Sequence, residues 1–358
     1  MSNQLYDPRA EVILTHKNGK KTTFPMFNRL EWDLQIQFEV PFGSSGYPPK
    51  CTVKIYNLSK THRAMFKKGL HVVLKAGYYS HSVGVLCEGN ITSVDPTVYD
   101  DNDTVVAFRF TAGTDYSRTA ADTVKVTKLK KVTRYHRKTV ATKPTIYKHR
   151  NKNGKVTTCT YMPKKKAKIQ RTKYTVTKKE RVNMTFKKGS TVSQVIKGIA
   201  KKAGFKFAKM QLKKNPVFKR GYTCHGKPWT VIQELVKKAD SYLVNRQGKW
   251  YILNAKAGFK TGIVLEKSTS LIARPQRQDE DSAKQASYQI ESLLRPELTT
   301  QSLIKVKSDE LSGTFIVTSG SHTFDGTSWK TTCLITTPQA KQAATKNSHL
   351  THIKKKRK

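Results

Sequence analysis

Alternation of apolar and polar residues is the feature that most constrains the fold of this chain. Residues 30–40 read LEWDLQIQFEV, in which every second side chain is apolar. These side chains are Leu30, Trp32, Leu34, Ile36, Phe38 and Val40. A period of two is typical of a half-buried β-strand. Similar runs, separated by turn-forming residues, fill residues 1–118 and 259–338. Many short strands of this kind predict a barrel or a sandwich.

Local signals mark the ends of several predicted elements. Asn18-Gly19 separates two strand-like runs, a pattern that predicts a β-hairpin. Ser59 is expected to begin a short helix or turn that stops at Gly69, because serine caps helix N-termini and glycine ends helices. Further turns are expected at Gly313 and at Asp325-Gly326.

Residues 187–258 carry the helical patterns. Ser190 is the predicted N-cap of a first helix, which ends at Gly204. The apolar stripe of this helix is Val192, Val195, Ile196 and Ile199. A second helix begins with Pro228 in its first turn. Its inward-facing residues are Trp229, Ile232, Leu235 and Val236. Two strands joined by Arg246-Gln247-Gly248 follow, and the region is therefore predicted to be a small α/β unit.

These patterns predict a mainly β protein with a small α/β unit, and 358 residues provide enough chain for two or three domains. The predicted domains are a first β-barrel at 1–118, a basic Lys/Thr-rich insertion at 119–186, an α/β domain at 187–258, a second β-barrel at 259–338 and a basic flexible tail at 339–358. The insertion is either a long hairpin or a loop, and its many β-branched residues favour the hairpin.

The formal net charge of +44 indicates a polyanionic partner, such as nucleic acid, anionic lipid or an acidic protein face. Residues 121–180 hold twenty Lys and Arg against only Asp122 and Glu180, and residues 339–358 add seven more without an acid. The candidate contact residues, with Tyr161 and Tyr174 nearby, are Lys164, Lys165, Lys166, Lys168, Arg171 and Lys173. This segment could bind nucleic acid or a cell-surface polyanion, grip an acidic neighbour, or form a solvated arm.

No pattern in the sequence predicts catalysis, a cofactor or a metal site. The five cysteines are scattered and odd in number, which argues against a disulfide framework or a zinc site. Phosphate-loop, dinucleotide-binding and nucleophile-elbow motifs are absent. The remaining suggestive groups are expected to be ordinary turn and strand residues: Cys224 with His225, His322 with Asp325, and the acidic run at 100–103. The missing motifs lead us to expect a protein that is not an enzyme. With no apolar run of eighteen residues and no secretion signal, we also expect it to be soluble and made in a cytoplasm.

Three groups of short stretches occur in a particular order. The first is TVKIYNLS at 52–59, KG at 68–69, LKAGY at 74–78 and EGNI at 88–91. The second is GSTVSQVI at 189–196, AGF at 203–205 and GKPW at 226–229. The third is LLRPEL at 293–298, VKS at 306–308, GTF at 313–315 and HTFDG at 322–326. Together they resemble the hub proteins at the base of phage tails, especially the shorter hubs of contractile phages and related prophage particles.

In that family the hub is a trimer, and each chain carries two barrels that resemble the tail-tube subunit. The resemblance implies a homotrimeric ring in the tail baseplate of the virion, which adapts the six-fold tube to a three-fold spike or tip and forms part of the DNA conduit for genome ejection. A ring of three two-barrel chains can match a ring of six only if the two barrels are similar. The implied partners are the tail tube protein, the spike or tip protein, the tape measure protein and other baseplate proteins, with transient contact to genomic DNA.

The basic insertion at 119–186 departs from the family pattern. It leaves open a second hypothesis, in which the chain is a nucleic-acid-binding protein that uses residues 121–180.

Overall fold

The computed structural model describes residues 5, 7–26, 34–44, 46–100, 103–140, 145–161, 168–254, 258–278 and 287–338. The chain divides into two compact units. One is Lys125–Met184, which we call the extension, and the other, formed by the rest of the chain, we call the body. The predicted tail at 339–358 and the start of the predicted strand at 30–40 lie outside the described residues.

Strands account for most of the first part of the body. They are β1 (Pro8–Thr15), β2 (Lys21–Met26), β3 (Ile36–Phe42), β4 (Lys50–Tyr56), β5 (His71–Tyr78), β6 (Ser82–Val94), β7 (Val98–Asp100) and β8 (Asp103–Ala112). β1 and β2 pair antiparallel across Asn18-Gly19, which confirms the predicted hairpin. Helix α1 (Lys60–Arg63) follows Ser59, whose hydroxyl accepts the His62 N–H as expected of a cap.

The α/β unit contains the two longer helices and five short strands. The elements are β13 (Thr185–Phe186), α2 (Val192–Ala203), β14 (Lys209–Met210), β15 (Tyr222–Thr223), α3 (Pro228–Lys238), β16 (Ser241–Arg246) and β17 (Lys249–Asn254). Every residue of the two predicted apolar stripes is buried. Pro228 occupies the first turn of α3, and Gly204 ends α2 with a φ of 74°.

The N-cap of α2 is Thr191, so the prediction of Ser190 was wrong by one residue. The Thr191 hydroxyl accepts the Gln194 N–H, and the Gln194 side chain accepts the Thr191 N–H at 2.9 Å. This reciprocal pair is a capping box, which satisfies two backbone donors at once. Ser190 instead donates its backbone N–H to Lys187, in the preceding turn.

The last part of the body returns to strands, at the positions expected from the alternation. They are β18 (Phe259–Glu266), β19 (Gln276–Gln278), β20 (Ser287–Leu293), β21 (Ser302–Lys307), β22 (Ser312–Phe324) and β23 (Trp329–Thr336). Residues alternate between buried and half-buried along the whole of β23. All of these neighbouring strands pair antiparallel except β18 and β21, which are parallel.

The two strand-rich parts of the body are joined directly. β3 pairs with β22, with Phe38 opposite Phe324 and Phe42 opposite Gly320. Through this pairing, β1–β8 and β18–β23 form one fourteen-stranded sheet among the described residues. Two apolar cores lie along it. The core of β1–β8 includes Trp329 of β23, and the core of β18–β23 includes Phe42 of β3.

The predicted fold class, mainly β with a small α/β unit, is confirmed. No local pattern predicts that the two β regions share a sheet, because the β3–β22 pairing joins segments far apart in the chain. The boundaries between the predicted domains remain predictions.

The extension consists of paired strands in its described residues. Its elements are β9 (Lys125–Val140), β10 (Thr145–Arg150), β11 (Val156–Tyr161) and β12 (Lys168–Asn183). β9 pairs antiparallel with β12, and β10 pairs antiparallel with β11. Asn151 closes the turn between β10 and β11, since its backbone oxygen accepts the Gly154 N–H at 3.0 Å. These pairings are the kind that a hairpin makes, whereas residues 141–144 and 162–167 lie outside the described residues.

Candidate interaction surfaces

The β9–β12 ribbon has two faces that differ in charge. Its register pairs Lys125 with Asn183 and Val140 with Lys168, so odd-numbered residues share one face and even-numbered residues share the other. We call the odd-numbered side the acid-free face, because it holds no Asp or Glu. We call the even-numbered side the valine face.

The acid-free face presents cations beside apolar and hydroxyl side chains. Its described cations are Lys125, Lys131, Lys173, Lys179 and Arg181. Leu129 lies opposite Lys179 and Tyr135 lies opposite Lys173, and these two apolar side chains are 69% and 54% exposed. Lys131, Lys173 and Lys179 make no ion pair with any residue that the structure describes.

The valine face carries small apolar pairs and the acid of the ribbon. Val126 lies opposite Val182 and Val132 opposite Val176, and all four side chains are half-buried. Glu180 forms an ion pair with Lys130 at 3.5 Å, although both side chains are at least half exposed. Lys130 also lies directly opposite Lys178. Like charges that face each other across a ribbon destabilise it.

The six predicted contact residues do not form one surface in the described part of the chain. Lys168, Arg171 and Lys173 lie on β12, and the register assigns Arg171 and Lys173 to the acid-free face but Lys168 to the valine face. Lys173 is exposed. Lys164, Lys165 and Lys166 lie outside the described residues, so their role stays a prediction.

The α/β unit carries a second basic surface, which the sequence analysis missed. Residues 185–254 hold sixteen Lys and Arg against only Glu234 and Asp240, and all sixteen except Arg246 are exposed. Helices α2 and α3 each end in a pair of lysines, where a positive charge is favourable. A count of charges in successive windows would have found this surface.

The turn between β16 and β17 fixes the α/β unit to both β regions. Gln247 Nε2 donates to the backbone oxygens of Val85, at 2.6 Å, and Pro296, at 3.0 Å. Gly248 has a φ of 89° and lies so close to the Glu88 backbone oxygen that a Cβ would overlap it. Both the backbone conformation and the available space therefore require glycine at this position.

Arg246, the last residue of β16, contacts the second β region. Its guanidinium donates to the backbone oxygen of Thr300 at 3.2 Å, to that of Glu297 at 3.4 Å and to Ser302 Oγ at 3.1 Å. It also lies 4.3 Å from the centre of the Phe259 ring. Burial lowers the pKa of Arg246 to about 10, because removal from water disfavours the charged form. The side chain stays protonated at neutral pH, and the surrounding oxygens stabilise its charge.

The residue groups that could suggest a metal or catalytic site in the sequence occupy structural positions in the fold. His322 is fully buried in β22, with Nδ1 2.8 Å from Thr331 Oγ1, and burial lowers its pKa to about 3. Asp325 lies in the following turn, where it accepts the backbone N–H groups of Thr327 and Ser328. Asp100 and Asp103 pair in the β7–β8 hairpin. Cys224 is buried and His225 is exposed.

Within the described residues, no three His, Cys, Asp or Glu side chains are grouped so that they could share a metal ion. No described helix is both long enough and apolar enough to cross a membrane.

No protein-family model matches the chain, and no curated protein matches it in sequence. Solved structures do match it. The 43 kDa tail protein of prophage MuSo2 from Shewanella oneidensis is 10% identical, with a TM-score of 0.54 over 92% of this chain and 98% of that one. The tail protein from Neisseria meningitidis MC58 is 8% identical, with a TM-score of 0.51 over 94% of this chain and 98% of that one. This chain therefore has the fold of prophage tail proteins.

Proposed function

We propose that this protein is a structural hub of a phage tail baseplate, and that it catalyses no reaction. Three copies would form a ring that joins the six-fold tail tube to a three-fold spike or tip and encloses part of the DNA conduit. The tail tube protein, the spike or tip protein, the tape measure protein and other baseplate proteins would be its neighbours in the virion.

One observation carries this proposal: the fold likeness to two prophage tail proteins extends over nearly the full length of each chain. The three groups of hub-like sequence stretches narrow the role from tail protein to hub. The body also contains two β regions with separate cores, connected by β3–β22 and by the β16–β17 turn. A direct connection between two β regions suits a ring of three chains that must meet a ring of six.

The copy number in purified tails tests the proposal. We expect three copies per tail by quantitative mass spectrometry, and three-fold density at the spike end of the tube by electron microscopy. A copy number of this chain that rises in proportion to that of the tube subunit would exclude the hub role. So would a mature tail that lacks this chain.

The second candidate function is nucleic-acid binding, which the two basic surfaces favour. Phosphate contacts made by many lysines release counterions, so the affinity should fall steeply as salt rises. Titration of duplex DNA at several salt concentrations tests this function. Binding tighter than about 1 μM that disappears when residues 125–184 are replaced by a short linker would favour it, because non-specific binding is usually weaker. Weak binding that survives the replacement would exclude it.

A further inference from the structure

We propose that the acid-free face of the extension docks on an acidic protein face of a neighbouring tail component. The proposal rests on the proposed function, because it assumes that the chain is part of a tail. It goes further by assigning a surface to the extension and stating the chemistry of its partner.

The described residues of the β9–β12 ribbon make few interactions that would stabilise it in isolation. No described side chain of β9 or β12 is fully buried, and Lys130 lies opposite Lys178. A two-stranded ribbon without a packed face is marginally stable in water. A sixteen-residue pairing of this kind is expected to persist when a partner covers one face and neutralises its charge.

The charge of the acid-free face defines the partner as an anion. Lys131, Lys173 and Lys179 are exposed, carry no ion pair within the described residues, and share their face with Arg181. Cations on one face of a strand recur about every 6.6 Å or at multiples of that distance. A partner with several carboxylates or phosphates can therefore meet them together.

The exposed apolar residues favour a protein over a nucleic acid. Leu129 and Tyr135 stand among the lysines of this face and are mostly exposed. A phosphate backbone offers no apolar surface to cover them, whereas protein interfaces combine aromatic and aliphatic contacts with a charged rim. The same face of a second copy is a poor partner, because it also presents cations and no Asp or Glu.

Cross-linking in intact tails tests the docking. A water-soluble carbodiimide condenses a lysine amine with a carboxyl group into an amide and becomes a urea as it takes up the water. We expect Lys131, Lys173 and Lys179 to form amides with Asp or Glu of a different tail protein, whereas Lys17 and Lys20 of the β1–β2 turn serve as exposed controls. Cross-links only to another copy of this chain, or none on these three lysines, would overturn the proposal.

Protection from acetylation separates a protein partner from DNA. In intact tails, the three lysines should acetylate at least tenfold more slowly than Lys17 and Lys20, both before and after nuclease treatment. Protection that nuclease removes would identify nucleic acid as the partner and overturn the proposal. If the chain is missing from purified tails, the proposed function fails instead, so the two failures are distinguishable.

A charge-reversed variant completes the test. The full chain with Lys131→Glu, Lys173→Glu and Lys179→Glu should keep its urea unfolding midpoint but yield at least tenfold fewer finished tails in a complementation assay. The matched control reverses Lys17, Lys20 and Lys267, which are also exposed, and should assemble normally. Equal assembly by both variants would contradict the docking.

Discussion

The body and the extension are both built mainly from antiparallel strands, but different interactions can stabilise them. In the body, alternation places one side of each strand in an apolar core, as along β23. In the extension, β9 and β12 pair over sixteen residues without one fully buried described side chain. The comparison shows that strand periodicity and burial are separate properties of a sequence. Backbone pairing follows from the first, whereas stability follows from the second.

Removal of one apolar side chain should have very different effects on the stability of the body and of the extension. Phe108 is fully buried and stacks on Phe66 at 5.0 Å, so Phe108→Ala should lower the free energy of unfolding by about 3–5 kcal/mol. Leu129→Ala in the extension should change it by less than about 0.5 kcal/mol. Urea unfolding followed by tryptophan fluorescence measures both. A comparable loss in the two variants would mean that Leu129 is buried in the isolated protein.

Glycines with similar backbone angles provide a second pair. Gly248→Ala combines a φ of 89° with overlap of the Glu88 backbone oxygen and should cost about 2–3 kcal/mol. Gly154→Ala, at a φ of 71°, has open space around it and should cost about 1 kcal/mol, confined to the β10–β11 turn. Thermal unfolding should therefore distinguish the variants. Equal melting temperatures would show that the contact at the β16–β17 turn is not tight.

Acid should weaken the body through His322. Its pKa is 6.5 when unfolded and about 3 when folded, because burial disfavours the charged ring. The neutral ring's contribution is therefore complete above pH 6.5 and falls as the pH drops from 6.5 towards 3. At pH 5 the loss should be about 2 kcal/mol relative to neutral pH. Unfolding curves between pH 7 and 5 measure it, and His322→Asn should remove this part of the slope. An unchanged slope in the variant would assign it to another group.

Substitution of the N-cap of α2 should have a smaller effect on stability, and it tests whether the cap is Thr191 or Ser190. Thr191→Ala removes the capping hydrogen bond to Gln194 and should cost about 1 kcal/mol. Ser190→Ala is the matched control and should cost much less, because its side chain does not cap the helix. The urea unfolding midpoint is the measurement. A larger loss for Ser190→Ala would restore the prediction made from sequence.

The smallest expected effect concerns the ion pair of the extension. Glu180→Gln breaks the pair with Lys130, and both side chains are well exposed. Exposed pairs contribute about 0.2–1 kcal/mol, and we expect less than about 0.5 kcal/mol here. Hydrogen exchange of the β9 and β12 amides at low and high salt reports on it. An increase in exchange larger than tenfold at low salt would mean that this pair holds the ribbon together.

Local signals predicted most of the elements but fewer of the contacts between them. The stripe Val192, Val195, Ile196 and Ile199 was sufficient to predict α2, and Asn18-Gly19 was sufficient to predict the first hairpin. The six predicted contact residues are close together in the sequence. In a strand, however, neighbouring residues lie on opposite faces, so cations that are close in sequence need not share a surface. Only the register shows which cations share a face.

Local sequence patterns were enough to specify the mainly β character, the two helices of the α/β unit, the ends of those helices to within one residue, and the concentration of charge in residues 121–180. Each depends on residues a few positions apart, whose spacing favours one local geometry. Three features became visible only in the folded chain: β3 pairs with β22, Gln247 contacts both β regions, and one face of the extension is free of acid. These features depend on which distant segments of the chain pack against each other and bury surface. The spacing of residues within one segment does not specify that packing.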